Sequence, residues 1–246
     1  MPQTNRISMK QRNVTRLVLN KLSNSIKIET FASAALLFLF IFAGWYLYRE
    51  HFIFQGQDEA IVQKTLADKA HDINDAAKKL DISPRLLASV IYTELRLNVN
   101  LLDSFERVYV SLGNNTSIGL AQIRINTAKW IIDTVTDSNS YYFLESKYHE
   151  WLPKYERRED IVEILENDST NCLLAAFHLR QITTRWKHTG FDIWDRPDIV
   201  ATLYSYGLFR RDDNSEIVPH AKPEGNFFGK VAADFFYSEK MRRYFP

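Results

Sequence analysis

The sequence has few of the residues that mark several common classes of protein. Its 246 residues include one cysteine and eight glycines, so it has no internal disulfide and no glycine-rich phosphate loop. The net charge of +1 argues against a nucleic-acid binder with a broadly basic surface. The six histidines lack paired metal-ligand spacing, and no G-x-S-x-G nucleophile motif, internal repeat or low-complexity tract is present. We therefore expect no metal, no cofactor and no nucleic-acid partner.

The near-zero charge is an average over two unequal segments. Residues 1–30 hold six basic residues and one acid, a net charge of +5, and the remaining 216 residues carry −4. Between the basic tail and the rest lies Phe31–Tyr48, eighteen residues without a charge. As a helix this run reaches about 27 Å, close to the ~30 Å hydrocarbon core of a bilayer.

Three interpretations of this run are open: a membrane anchor, a buried core helix and a cleaved signal peptide. The run is longer than the apolar region of most signal peptides, and it ends in aromatic residues that suit a membrane interface. An uncleaved single-span anchor is the favoured interpretation. The basic residues before the span predict a cytoplasmic N-terminus and an extracytoplasmic or periplasmic C-terminal part, held at the inner (cytoplasmic) membrane. The expected organisation is a basic cytoplasmic tail (1–30), a transmembrane anchor (31–48), a connector (49–57) and a globular domain (58–246).

The pattern of apolar residues in the exported part is mostly helical. Apolar residues recur at helical spacing over Asp58–Leu80, and Ser83-Pro84 is typical of the start of a helix that runs to about Arg96. Val108–Leu112 alternates weakly before a Gly-Asn-Asn turn, which is consistent with a small strand or hairpin. Further helices are predicted at about 121–135, 158–166, 169–187, 197–206 and 226–244, whereas the aromatic-rich stretch 139–157 has no clear assignment. Cys172 falls on an apolar helix face and is predicted to be a buried, inert thiol. The predicted fold class is mainly α, with one possible small β-hairpin.

Glu94 occupies a position where an acid is unexpected. Leu87, Val90 and Ile91 precede it by seven, four and three positions, so Glu94 extends the apolar stripe of its helix. Partial desolvation of a carboxylate there would raise its pKa, and a carboxylic acid that keeps its proton can donate it to a leaving oxygen. The alternative is a helix-end acid that turns to solvent or pairs with Arg96 or Arg124.

The residues downstream of Glu94 resemble an enzyme superfamily. The segment Ser117–Ile123, SIGLAQI, followed by Thr127-Ala128, resembles the S-x-G-L-x-Q-I and T-A elements of the goose-type lysozyme and lytic transglycosylase superfamily. In that family a catalytic Glu ends the preceding helix, as Glu94 does here. Three later segments, Asn171–Ile182, Val200–Gly207 and Asn226–Phe235, resemble the family's following elements in order. The resemblance covers about 80–240 and implies a lysozyme-like helical domain.

The resemblance also implies roles for individual residues. Glu94 would be the catalytic acid and base, and Ser117 and Gly119 would let the backbone pass close to a sugar chain. Gln122 would bind an N-acetyl group or a ring hydroxyl, with capping of its own helix as the alternative. Tyr204 would approach the catalytic Glu, with aromatic core packing as the alternative. The sequence departs from the family's pattern at Leu95, Ala121 and Ser205, where Ser, Met and Asn are common.

The reaction implied by the resemblance is cleavage of the β-1,4 bond between N-acetylmuramic acid and N-acetylglucosamine in peptidoglycan. A lytic transglycosylase uses one Glu, whereas a hydrolytic muramidase needs a second carboxylate to activate water. Asp103 and Glu106 are the candidates for that second carboxylate, although solvated loop acids are the alternative for both. The absence of a sequence motif around either acid favours the lyase. A binding or scaffold module that holds glycan or an envelope or secretion-machine partner without cutting is a further alternative. An effector carried by a secretion system or a phage is another.

Overall fold

The computed structural model describes residues 38–40, 57–97, 115–206 and 217–246. The chain divides into two compact units, Met1–Phe54 and Gln55–Pro246. In the first unit Phe38–Phe40 are helical and exposed, and the rest of the predicted anchor lies outside the described residues. Within the described ranges, no helix combines the length and apolar character that a membrane crossing requires.

The second unit is mainly helical, which confirms the fold class predicted from the apolar periodicity. Its described helices are α1 (Glu59–Asp68), α2 (Ala70–Lys79), α3 (Pro84–Leu97), α4 (Ile125–Thr136), α5 (Arg158–Glu166), α6 (Asp168–His188), α7 (Pro197–Tyr206) and α8 (Phe227–Tyr237). A short 3-10 helix covers Ser146–Trp151, within the stretch that the sequence left unassigned. The described β structure is one antiparallel pair, β1 (Ser117–Ile118) and β2 (Ile123–Arg124).

Three predicted helix boundaries are wrong. The helix predicted over Asp58–Leu80 breaks at Lys69, whose non-helical backbone ends α1 while its amine pairs with Asp168 at 2.7 Å. The helix predicted from 121 starts instead at Ile125, because residues 119–124 form a turn and β2. The helix predicted to reach 244 ends at Tyr237, where Ser238 adopts an extended conformation. The predicted hairpin segment Val108–Leu112 lies outside the described residues.

Helix α3 lies at the centre of the second unit and carries Glu94 near its end. The Ser83 hydroxyl accepts a hydrogen bond from the Leu86 amide at 3.3 Å, and Pro84 occupies the first turn, as the sequence predicted. Every residue from Arg85 to Thr93 is buried, so the helix is enclosed on all sides rather than along one stripe. Helices α1, α2, α7 and α8 pack around it. Glu94 is the first position at which this enclosure opens, and it is half-buried.

The buried guanidinium of Arg85 ties the end of the chain to α3. Arg85 is 2% exposed and donates hydrogen bonds to the carbonyl oxygens of Phe235 and Phe236 at 2.7 Å and Ser238 at 2.6 Å, and also to that of Lys240. These carbonyls lie at and beyond the end of α8, where a helix has no internal donors to offer. A cation at this end also interacts favourably with the helix dipole. Arg85 therefore fixes α8 and the C-terminal segment against the helix that carries Glu94.

Helix α6 crosses the core and contributes to both sites described below. The Asn167 side chain caps its start by accepting a hydrogen bond from the Thr170 amide at 3.1 Å. The helix packs against α2, α4, α5 and α7, which accounts for its long buried stretch. Cys172 on α6 is fully buried, as predicted, and burial raises the pKa of its thiol to about 12.

Candidate active site

The segment Gly119–Gln122 forms a tight turn that joins β1 to β2. Gly119 and Gln122 both have positive φ angles, of 76° and 49°. The Gln122 amide donates to the Gly119 carbonyl at 3.1 Å, and the Gln122 side-chain amide donates to the same oxygen at 2.9 Å. The side chain thus supports its own turn with one of its two N–H donors, rather than capping a helix. The second N–H and the oxygen of the Gln122 side chain are compatible with the predicted contact to a sugar.

Asn171 on α6 holds this turn through three hydrogen bonds, which we call the clamp. Its side-chain oxygen accepts from the Ala121 amide at 2.8 Å, and its nitrogen donates to the carbonyls of Ile118 and Leu165, both at 2.9 Å. Asn171 is fully buried, so the three backbone groups depend on it for their hydrogen bonds. The clamp therefore fixes the position of the turn relative to α6.

The physical reason for glycine at position 119 is contact with the protein itself. A Cβ atom on Gly119 would lie 2.4 Å from both the Asn171 side-chain nitrogen and the Leu165 carbonyl oxygen. The positive φ angle independently favours glycine. The space that a Cβ would need is therefore filled by the clamp, whereas the resemblance had assigned that space to a bound sugar chain.

Tyr204 on α7 connects the turn to the surroundings of Glu94. Its hydroxyl donates to the Ala121 carbonyl at 2.7 Å, and only 6% of the residue is exposed. Burial raises the pKa of Tyr204 well above its ordinary value, and the negative charge of Glu94 acts in the same direction. Tyr204 therefore remains a neutral hydrogen-bond donor at neutral pH. The burial of Tyr204 agrees with the alternative of packing in the core, and its approach to Glu94 stays a prediction.

A buried histidine packs behind Tyr204. The rings of His178 and Tyr204 have centroids 5.2 Å apart, and the ring of Trp130 lies 6.2 Å from His178 on another side. Complete burial lowers the pKa of His178 to about 4, so the imidazole is neutral at physiological pH. A small cavity of about 20 Å³ adjoins His178 and Trp130, is also lined by Arg185, and has room for about one water molecule. The side chains of His178 and Trp130 behind Tyr204 are thus aromatic and uncharged.

The structure brings together five of the residues predicted from the sequence. The turn with Gly119 and Gln122 is bonded to Tyr204, and Tyr204 lies within the electrostatic reach of Glu94. Ser117 is half-buried on β1, at the base of the same turn. The candidate second carboxylates Asp103 and Glu106 lie outside the described residues, as does Gly207 of the later motif.

Two polar positions whose roles could not be assigned from the sequence organise the site. Asn171 stood at the start of an apolar helical segment, and that isolated amide in a predicted core helix was the available signal of a buried hydrogen-bonding role. The second is the link from α7 to α8, in which the Asn226 amide donates to the Ser205 hydroxyl at 2.9 Å. The Asn226 side-chain oxygen accepts from the Gly229 amide at 2.8 Å and so caps α8. Ser205, which replaces an Asn of the family's pattern, is therefore engaged by α8.

No three His, Cys, Asp or Glu side chains within the described ranges are grouped as metal ligands. The chain matches no protein-family model and no curated protein.

Proposed function

We propose that this protein is a membrane-anchored enzyme that cleaves the β-1,4 bond between N-acetylmuramic acid and N-acetylglucosamine in peptidoglycan. The proposed activity is that of a lytic transglycosylase in which Glu94 is the general acid and base. The observation that carries the proposal is the convergence of three separate sequence elements on Tyr204. Its hydroxyl is bonded to the Gly119–Gln122 turn, and its pKa is raised in part by the charge of Glu94.

The proposed reaction requires one carboxyl group with two successive roles. Protonated Glu94 gives its proton to the glycosidic oxygen as the bond from that oxygen to the muramic C1 breaks. The 6-hydroxyl of the same muramic residue then bonds to C1 and returns its proton to the Glu94 carboxylate. The product carries a 1,6-anhydro ring, and no water is consumed. Tyr204 stays protonated throughout, so it supports the turn without competing for the proton.

The half-buried position of Glu94 suits this role. It follows a fully enclosed stretch of α3 and lies where the enclosure opens, so the carboxyl group has a rigid backbone and an approach for substrate. The clamped turn offers a second rigid edge, on which Gln122 retains an amide N–H and a carbonyl oxygen for a sugar. The membrane anchor predicted for 31–48 would keep this domain close to the wall.

The test is digestion of purified sacculi by the full-length protein, followed by analysis of the soluble products. Glu94→Gln preserves the shape of the side chain and removes its acid chemistry, so we expect it to lower the rate of muropeptide release by about 10²–10⁴-fold. Glu163→Gln, an exposed acid on α5, is the matched control and should leave the rate unchanged. Equal release by wild type and Glu94→Gln would exclude Glu94 as the acid.

A second candidate function is a module that binds peptidoglycan without cutting it. It is favoured by Leu95, which packs against the core where the family carries a hydroxyl, and by Ser205, whose hydroxyl is engaged by Asn226. Binding of wild type to sacculi without release of soluble fragments would select this function over the enzymatic one.

A further inference from the structure

A groove of about 610 Å³ lies on the side of α6 that faces away from the candidate active site. Asn171 and His178 are seven residues apart, so they lie on one face of α6 and point toward the turn and Tyr204. Arg180 and Lys187 repeat the same spacing about 200° further round the helix, and both line the groove. The two sites therefore share a helix but none of the described residues that form them.

The floor of the groove holds an arginine whose donors are largely unused. Arg180 donates one long hydrogen bond, to the Asp81 carbonyl at 3.3 Å. Among the described residues, its buried Nε–H has no acceptor and no carboxylate lies within ion-pairing distance of it. The nearby Asp81 carboxylate is instead bonded to Lys147 at 2.8 Å and to the Tyr148 hydroxyl at 3.0 Å. A guanidinium has five N–H donors, so an acceptor from outside the protein would complete this one.

Two aromatic rings hold the Arg180 guanidinium in place. Its central carbon lies 5.3 Å from the ring centroid of Tyr148 and 5.6 Å from that of Trp194. Tyr148 is buried and fixed, whereas Trp194 is 38% exposed at the edge of the groove. A planar fork held in this way is suited to bidentate binding of a carboxylate through Nε and Nη2. Because the Nε–H is shielded from water, such binding requires a neighbouring side chain to move, and Trp194, which lies against the guanidinium, is partly exposed.

The rim of the groove carries charges of both signs. Lys187 and His188 lie at the end of α6, and Glu145, Asp192 and Asp195 lie on the surrounding segments. All five side chains are exposed. This mixture does not favour a simple anion, since the three carboxylates would repel it. It suits a ligand that presents both a carboxylate and an ammonium group.

We propose that this groove binds a short peptide whose free carboxylate pairs with Arg180 and whose ammonium group faces the acidic rim. A peptide with both groups fits the volume and the charge pattern of the groove. The source of the peptide rests on the proposed function, because peptidoglycan strands carry stem peptides with free carboxylate and amino groups. The groove would then recognise the peptide part of the polymer whose glycan part is cut at Glu94.

The test uses a defined dipeptide and the full-length protein. Nα-acetyl-L-lysyl-D-alanine carries one carboxylate and one ammonium, and its C-terminal amide lacks the carboxylate. Titration calorimetry should show tighter binding of the acid than of the amide by about tenfold or more, since the lost contact is a charge-assisted hydrogen bond. Acetylation of the lysine ε-amine should weaken binding by only about twofold, because the rim acids are exposed. Inorganic phosphate or acetate that bound as tightly as the dipeptide would overturn the peptide assignment.

Substitutions of Arg180 test whether this residue binds the carboxylate of the peptide. In Arg180→Gln the acid and the amide should bind with equal affinity, whereas the exposed control Arg243→Gln should keep the tenfold preference. Arg180→Lys preserves the charge but not the fork and should lose most of the preference, which serves if the Gln variant is poorly folded. Equal binding of acid and amide to wild type, or an undiminished preference in a folded Arg180→Gln protein, would refute the proposal.

Two further readouts separate this proposal from the proposed function. Binding of the acid should change tryptophan fluorescence in wild type and leave it unchanged in Trp194→Phe, because Trp194 contacts the Arg180 guanidinium. An unchanged wild-type spectrum at saturation would contradict the predicted engagement of Trp194. Dipeptide affinity should be the same in Glu94→Gln as in wild type, so the groove can be verified even if sacculi are not cleaved. Cleavage of sacculi without dipeptide binding would support the proposed enzymatic function and refute the proposed peptide site in the groove.

Discussion

The two faces of helix α6 differ in how completely their polar groups are paired. On the face toward the turn, Asn171 makes three buried hydrogen bonds and leaves the surrounding backbone groups satisfied. On the groove face, Arg180 makes one long hydrogen bond within the described ranges and its Nε–H is unpaired there. Complete pairing fixes a geometry, whereas unused donors on a fixed group leave a capacity to bind. The comparison therefore assigns structural support to Asn171 and recognition to Arg180.

The largest predicted effect is a loss of stability on substitution of Asn171, which tests its structural role. Asn171→Ala leaves the Ala121 amide and the carbonyls of Ile118 and Leu165 buried without their partner, so we expect the free energy of unfolding to fall by about 3–4 kcal/mol. Urea denaturation measures this change. Asn139→Ala, at an exposed position, should cost less than about 0.5 kcal/mol. Equal stabilities of the two variants would show that the clamp does not hold the turn.

The next effect concerns the pH dependence of stability on the same face of α6. The pKa of His178 is lowered from 6.5 to about 4 by burial, so the unfolded chain binds a proton at this site below pH 6.5 while the folded protein does not. Stability from this residue is complete above pH 6.5 and is lost as the pH falls toward 4, by about 3 kcal/mol in total.

A variant without His178 isolates this contribution. His178→Phe keeps an aromatic ring against Tyr204 and removes the titrating group, so its stability should fall by about 3 kcal/mol less than that of wild type between pH 7 and pH 4. Thermal unfolding at a series of pH values measures the difference. Parallel pH profiles for the two proteins would mean that His178 is not held neutral by burial.

A smaller effect sharpens the role of close packing in the turn. Gly119→Ala places a Cβ 2.4 Å from Asn171 and the Leu165 carbonyl, whereas Gly190→Ala meets nothing within 4 Å. Both glycines have positive φ angles, so both variants carry the same backbone cost of about 1 kcal/mol. We expect Gly119→Ala to lose about 2 kcal/mol more than Gly190→Ala by urea denaturation, because only the former displaces the clamp. Equal losses would show that the clamp yields freely to a methyl group.

The helices were predictable because their apolar periodicity is strong, and each wrong boundary has a particular cause. The Lys69 break was missed because the apolar spacing continues across it from α1 to α2. Residues 121–124 were assigned to a helix because the two-residue strands are too short to alternate visibly, and they depend on an amide 50 residues away along the chain. A contact of that range leaves no periodic trace in the sequence.

The residues of the candidate site also divide into those that the sequence indicated and those whose roles depend on the tertiary structure. Glu94 could be singled out because an acid on an apolar stripe is a local anomaly, and Tyr204 through the resemblance of its segment to a known motif. Asn171 was present in the sequence as an unremarked amide, since its importance comes from the three backbone groups it meets. The sequence likewise did not indicate a role for Arg180, because the position of Tyr148 and Trp194 around it is a property of the tertiary structure.

The most direct test of the central claim is end-group analysis of sacculi digested by wild type and by Glu94→Gln. The proposed mechanism predicts soluble muropeptides with 1,6-anhydro ends from wild type and a loss of release of about 10²–10⁴-fold in the variant. Reducing ends would identify a hydrolase that uses a second carboxylate. Fragments released equally by both proteins would contradict the assignment of Glu94 as the catalytic acid.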